Sequence, residues 1–478
     1  MKFPVRRLLA CALIVGLSAP ASVFATNGYF LIGYGSKSRA MGGVGVALGQ
    51  DGLAAGQNPA TMIEMRKTRV DLAAELFIPY RAAFHDSALL PTDPDPITGA
   101  AHPVRSGQNL FLIPAMGGVY KFNRNTRMGM AVIGGGAGTR YGQAVSDDKT
   151  APNSSNFFNF QGNARRDELG VLLLNMQMLP SIAYEFLRHK KWGRHTVGAS
   201  LAIGISAFRA RGLAAFGGGE GSLPGEEGIG FTNATDKLTD NGVDFSFGSG
   251  VRIGWLGRFN KKKLNVGINY ATKVYMTPFE KYTGLFAEQG TFDIPEHYAI
   301  GVAVKANKKI TIAMDIQRIN YSNVASIANS GPISDGEGGF FERCPEKDTD
   351  VTKCYTGEGS GLGFGWTDQT IYKLGVAYEH NKKWSFRGGL NYGKSPIPDD
   401  QILFNMLAPA TVEKHLTFGF SYRPNKQNEF SFNYMRAFNN EQTGPTAFPP
   451  IGPEDSTFDN AAISMNQHSI GATWGINI

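Results

Sequence analysis

From about Arg69 onward the chain has a rhythm of period two. In KWSFRGGLNYG, Trp384, Phe386, Leu390 and Tyr392 alternate with Lys383, Ser385, Arg387 and Asn391. In TVEKHLTFGFSYR, Val412, Leu416, Phe418, Phe420 and Tyr422 alternate with Thr411, Glu413, His415, Thr417 and Ser421. Similar dyads run through NVGINYATKVY, KITIAMDIQ, TIYKLGVAYEH, NEFSFNYMRAF and SIGATWGINI. Each is about ten residues long, the span of a tilted membrane strand with one apolar and one small or polar face.

The connections alternate as well. FNRNTR, RHKKWGR, RFNKKK, KANKK, HNKK and RPNKQN are short polar turns. Long connections fall at about 81–108, 139–172, 210–241, 277–292, 322–365, 395–410 and 439–466. Thirteen connections imply about fourteen strands, with short turns at one end and long loops at the other. That predicts an all-β fold, a transmembrane antiparallel β-barrel over residues 69–478. A soluble array of β-sandwiches also buries one strand face, but its turn lengths need not alternate. Ser469, Gly471, Trp474, Ile476 and Ile478 keep the spacing of a last barrel strand. The final Ile478 departs from the aromatic residue that ends many outer-membrane barrels.

Composition agrees. Sixty glycines, 11% aromatic and only 18% charged residues suit many strands better than a soluble enzyme of 478 residues. With a mean hydropathy of −0.19 and no run of roughly 20 apolar residues beyond the N-terminus, a helical membrane protein is excluded. Residues 1–25 read as a signal peptide: Lys2, Arg6 and Arg7, an apolar run from Leu8 to Leu17, then a small-residue site at Ala25. Cys11 only loosely mimics a lipoprotein cleavage site, because most of the apolar run follows it. Losing this leader lowers the formal charge from +7 to +4, a surplus that points to no nucleic-acid partner. The remaining cysteines, Cys344 and Cys354, suit one short disulfide formed outside the cytoplasm.

Reactive chemistry is largely missing. GGLNYGKS, Gly388 to Ser395, satisfies the phosphate-loop pattern, but it continues an alternating strand, and Pro396 and Pro398 stand where the helix should start. The eight histidines are scattered, and no metal spacing or nucleophile elbow is present. No cofactor and no metal are expected. The pairs Asp147–Asp148 and Asp399–Asp400 read as solvated loop faces.

Fourteen strands enclose a lumen too wide for inward side chains to fill, so the barrel is open or plugged. Residues 26–68, rich in Gly and Ala and lacking strand rhythm, are the expected N-terminal hatch inside the lumen. Within them Asn58, Pro59 and Ala60 read as a helix start, with Asn58 as cap and Pro59 at the first helical position. A rigid corner there would also anchor the hatch beside the wall. Farther on, Gly134, Gly135, Gly136 and Gly138 interrupt an apolar strand, favouring a bulge and a gap.

The N-terminal segment with Ala40-Met41-Gly42-Gly43 and Asn58-Pro59-Ala60, the block MDIQRINYSNV, and the run from FGWTDQTIYKLGVAYEH through FRGGLNYGKSPIPDD to LAPATVEKHLTFGFSY occur in the order found in one family. The mature chain resembles the FadL-type outer-membrane transporters of long-chain fatty acids and their aromatic-hydrocarbon relatives. The resemblance implies a hatch-plugged, fourteen-stranded monomer in the outer membrane, not an enzyme, that takes up hydrophobic compounds passively. Long-chain fatty acids are the first expectation and aromatic hydrocarbons such as toluene the alternative. It also implies that the glycines of the third strand make a lateral hole into membrane lipid, and that the third and fourth outer loops form a capture groove.

In that groove the candidates are Phe157, Phe158, Phe160, the run Val171 to Leu174 with Met176 and Met178, Leu213 and Phe216. Tyr29 and Phe30 fall where the family's N-terminus reaches an interior pocket, and Arg140 is the candidate carboxylate partner. A sixteen-carbon chain gains roughly 0.8 kcal/mol per methylene on leaving water, so sideways release into lipid is favoured over an aqueous path. A lipid-acting barrel enzyme and an adhesive barrel are the rival readings.

Overall fold

The computed structural model describes residues 27–85, 104–141, 168–217, 231–333, 341, 343–445 and 460–478. Fourteen strands form the wall: β1 (Arg69–His85), β2 (Phe111–Tyr120), β3 (Thr126–Gly138), β4 (Gly170–His189), β5 (Gly193–Arg211), β6 (Asp244–Phe259) and β7 (Leu264–Ala271). They continue as β8 (His297–Lys305), β9 (Ile310–Ile319), β10 (Gln369–Glu379), β11 (Trp384–Gly393), β12 (Lys414–Tyr422), β13 (Asn428–Pro445) and β14 (Asn460–Asn477). Each pairs antiparallel with its neighbours in chain order, and β14 returns to β1 from Arg69↔Asn477 to His85↔Ala461, closing the barrel. Closure gives every strand a neighbour on both sides, so no edge strand is left in the membrane interior. No described helix is long and apolar enough to cross a membrane.

The period-two rhythm becomes an inside and an outside. On β1, Val70, Leu72, Leu76 and Tyr80 are exposed on the outer face, while Arg69, Asp71, Glu75, Phe77 and Arg81 are buried on the inner one. All six short turns lie where the sequence puts them.

Three long connections are shorter than the sequence reading made them. β1 runs to His85, β13 to Pro445, and β14 starts at Asn460, so strand occupies part of 81–108 and 439–466. A register shift between Ala437 and Asn440 breaks the alternation on β13, and beyond it the outward residues turn polar while the ladder continues. β4 begins at Gly170, so the run Val171–Leu174, read as loop, is strand.

The N-terminal segment lies against the inner face of the wall. It contains helix α1 (Gly35–Arg39) and two 3-10 turns, Ala54–Gly56 and Pro59–Glu64. Asn58 accepts from the Ala60 N–H at 3.0 Å with Pro59 at the first helical position, which is helix initiation. The same side chain donates to the carbonyls of Val46 (2.7 Å), Trp255 (3.1 Å) and Ile268 (3.3 Å), tying this corner to β6 and β7. Glycines in the wall allow the approach: a Cβ on Gly254 would stand 1.9 Å from Asn58 Oδ1, and one on Gly198 would stand 2.4 Å from Ala60 N.

Buried charges hold the rest of the segment. Lys37 Nζ meets Glu429 at 2.5 Å, and Arg39 pairs with Glu75. Asp315 accepts from the N–H groups of Gly45 (2.7 Å) and Val46 (3.0 Å), and Asp71 from that of Gly52 (2.7 Å). Lys373 donates to the Ile32 carbonyl at 2.9 Å. Charges this deep persist only when paired or hydrogen-bonded.

Candidate functional site

The seam between β2 and β3 is incomplete. Their ladder covers five pairs, from Met116↔Val132 to Tyr120↔Met128. Beyond it Ile133–Gly138 pair only with β4, and Phe111–Ala115 only with β1. The glycines explain the departure: Gly136 has φ +145°, a conformation that side chains disfavour. There the strand turns to the N-terminal segment, and the Gly136 N–H donates to the Tyr29 carbonyl at 3.3 Å. A Cβ on Gly134 would meet Ile113 only at 3.9 Å, so the seam here has contact without a ladder. At its far end the Arg81 guanidinium donates to the carbonyls of Gly138 and Gln108.

Inside this seam lies a narrow cavity of about 70 Å³. Ala137 of β3, Val171 and Leu173 of β4, Phe208 of β5 and Tyr29 form one side. The long connections supply the rest: Leu213, Phe216 and Leu238, then Leu285, Phe286 and Phe292, then Ile327, Leu362, Phe364 and Trp366, then Phe404, Leu407 and Ala408. The rings pack closely, with Phe208–Phe286 centroids 4.6 Å apart and Phe286–Phe292 4.9 Å. Among the described residues no Lys, Arg, Asp or Glu lines it.

Its few polar groups are mostly satisfied. Ser326 donates to the Thr291 carbonyl at 2.5 Å, Thr356 to that of Phe231 at 2.9 Å, and Trp366 Nε1 to Asn405 at 2.6 Å. The Tyr29 hydroxyl has no partner among the described residues, and burial pushes its pKa up, so it stays protonated. Such a chamber suits apolar molecules and, among the described residues, offers an ion no opposite charge.

Residues 225–446 match the family model described as outer membrane protein transport protein (OMPP1/FadL/TodX). The Pseudomonas putida toluene transporter TodX matches the structure with a TM-score of 0.60 at 17% identity, over 93% of this chain and 99% of that one. A Pseudomonas aeruginosa FadL homologue matches at 0.61 and 11%, over 94% and 99%. The monoaromatic hydrocarbon channel CymD matches at 0.54 and 16%, over 94% and 99%. No curated protein matches the sequence. The chain has the fold of these barrels, and residues 225–446 of it are similar to the OMPP1/FadL/TodX family.

Within this barrel the expected site residues separate. Tyr29, Leu213 and Phe216 share the cavity, with Leu213 and Phe216 buried in its wall instead of exposed on a loop. Phe30 stacks on Tyr29 at 5.1 Å and meets His297 edge-on, outside the lining. Gly134, Gly135, Gly136 and Gly138 form the unpaired side of the seam. Asn58, Pro59 and Ala60 belong to the wall contact and do not border the cavity. Phe157, Phe158 and Phe160 lie outside the described residues.

Arg140 is not a cavity residue. It is half exposed, pairs with Glu168, and sits in an open polar recess with Arg209 and Arg211. Cys344 and Cys354 are joined as a disulfide, with Cα atoms 5.8 Å apart. Gly388–Gly393 of the phosphate-loop pattern lie in β11, paired on both sides.

Sequence reasoning missed most of the lining, because Phe286, Phe292, Ile327, Trp366, Phe404 and Leu407 are spread over three long connections. The available signal was large apolar residues inside loops of the β-barrel. It also missed Asp71, Glu75, Asp315, Lys373 and Glu429, whose signal was a charge at an inward-parity position of a strand.

Proposed function

We infer that this barrel passes uncharged hydrophobic compounds across the outer membrane: they collect in the ring-lined cavity and leave sideways through the β2–β3 seam into lipid. The observation that carries this reading is Ala137, which belongs at once to the cavity lining and to the unpaired part of β3. Residues 27–68 act as the hatch, closing the lumen so that the cavity does not drain into an aqueous channel. Each buried methylene is worth about 0.8 kcal/mol, so a guest that moves from carbon-lined cavity to lipid avoids a penalty that a watery exit would impose. No energy source is required.

Long-chain fatty acids, the first expectation from the sequence, fit less well because no cation among the described residues lines the chamber. One observation keeps them as a second reading: Arg140, Arg209 and Arg211 gather at an open recess about Glu168, where a carboxylate head would find opposite charge.

The test is uptake of labelled toluene and labelled oleate by cells lacking their own transporter and carrying this chain or Ala137→Trp. Toluene uptake that the variant loses supports the reading. Oleate uptake that falls when Arg140 and Arg211 become Gln moves it to fatty acids. Uptake of neither, with the barrel folded in the outer membrane, overturns both.

A further inference from the structure

The formal charge of +7 conceals an axial separation. The six short turns contain no Asp or Glu, and each exposes at least one cation: Arg124, Lys191, Lys263, Lys309, Lys383 and Lys426. Arg66 and Lys67, which enter the same end ahead of β1, are exposed too. The nearest carboxylates do not neutralise them. Glu185, Glu379 and Glu429 are already paired with arginines, Glu185 with Arg194 at 2.7 Å and Glu379 with Arg423 at 2.9 Å. Among the described residues the exposed acids stand at the long-loop end, with Asp236, Asp240, Glu280, Glu288, Asp348 and Asp350 among them.

A second observation fixes the depth of this cationic rim. Exposed aromatics stand in it and just inside it, Phe122 and Trp192 within the turns and Tyr120, Phe386, Phe430 and Trp474 on the adjoining strand ends. Aromatic belts of barrels lie at headgroup level, so cations one or two residues farther out stand beside lipid phosphates. Lys191 Nζ sits 5.4 Å over the Trp192 ring, its ammonium held at that boundary. Short turns of outer-membrane barrels face the periplasm.

We propose that the short-turn rim is a binding surface for anionic phospholipid headgroups of the periplasmic-side leaflet. The rim needs no fixed pocket, because lysines on flexible stems meet phosphates that diffuse in the plane. It selects a shell of anionic lipid around the barrel and holds the strand ends at a fixed depth. Transport through the cavity is a separate matter, and the rim stands whether or not that reading holds.

The test uses the full chain in phosphatidylcholine nanodiscs doped with spin-labelled phosphatidylglycerol or spin-labelled phosphatidylcholine. The folded barrel is expected to immobilise phosphatidylglycerol in preference at low salt and to lose the preference at high salt. Replacing Lys190, Lys191, Lys261, Lys263, Lys308 and Lys309 with Gln reduces it, whereas Arg at the same six positions keeps it. Lys281→Gln with Lys353→Gln, at the long-loop end, leaves it unchanged. Equal immobilisation of the two lipids, or a preference that survives the six Gln replacements, overturns the proposal. Displacement of the lipid by inorganic phosphate beyond that by chloride at equal ionic strength would overturn it in favour of a free-phosphate site.

Discussion

The Gly136 N–H donates to the Tyr29 carbonyl across 3.3 Å, so a wall strand forms one of its hydrogen bonds with the N-terminal segment instead of with the strand beside it. That exchange leaves the β2–β3 ladder at five pairs and lets Ala137 reach the cavity. The link depends on a backbone that only glycine adopts easily, with φ +145°. Gly136→Val should cost about 1–3 kcal/mol of local strain and return the strand toward its neighbour. Uptake should fall while the barrel still folds and resists heat in detergent. Undiminished uptake in a folded Gly136→Val barrel would separate the seam from transport.

The corner at Asn58 makes a sharper test because two substitutions divide its roles. Asn58→Ala removes the cap, worth about 1 kcal/mol, together with the donor to three carbonyls. Asn58→Asp keeps an acceptor for the Ala60 N–H but sets a carboxylate against the carbonyls of Val46, Trp255 and Ile268. If anchoring outweighs capping, Asp is the worse of the two. Conductance across planar bilayers and protease cleavage within residues 27–68 should both rise, more for Asp than for Ala. The reverse order would mean that capping dominates.

Asp51 gives a pH dependence. Burial, and then the neighbouring Asp71, push its carboxyl up from 3.8 to about 6, against the pull of Lys37 and Arg69. Oδ1 accepts from the Leu53 N–H at 3.0 Å, while Oδ2 has no partner among the described residues. The folded state therefore holds this proton more tightly than the unfolded chain. Its contribution is full below about pH 4 and is lost as pH rises through 6, a difference of about 3 kcal/mol. Asp51→Asn should match the natural protein in denaturant at pH 4 and exceed its stability at pH 7.5. A constant offset between the two across this range would assign the effect elsewhere.

How far these features could be read in advance depended on how local their cause is. Outward residues such as Leu374, Val376 and Tyr378 face lipid at every second position, so the strands and their number were legible. The Asn58-Pro59 step and the glycines at 134–138 were legible because each constrains the backbone through its own residues. The cavity was not, because Tyr29, Phe208, Phe286, Trp366 and Phe404 come from distant segments that only the closed barrel brings together. The surroundings of Arg140 were hidden for the same reason: its charge is visible in sequence, but its pairing with Glu168 across a long connection is not. The strand ends beyond membrane depth were lost because their outward positions need no longer be apolar.

Phe286 is the residue whose removal should change what the chamber accepts. Its ring touches Phe208 and Phe292 and is buried at 4% exposure, central to the lining. Phe286→Ala removes a fully packed ring at a cost of about 3–5 kcal/mol, spread over a loop that the wall strands do not need for closure. The barrel should therefore still fold, and the enlarged chamber should admit bulkier guests. Competition against labelled toluene would read this: a bicyclic hydrocarbon should compete better in the variant than in the natural protein, while toluene itself binds less tightly because it loses a stacking partner. If both guests lose affinity equally, the ring supports the loop and does not set the size of the guest.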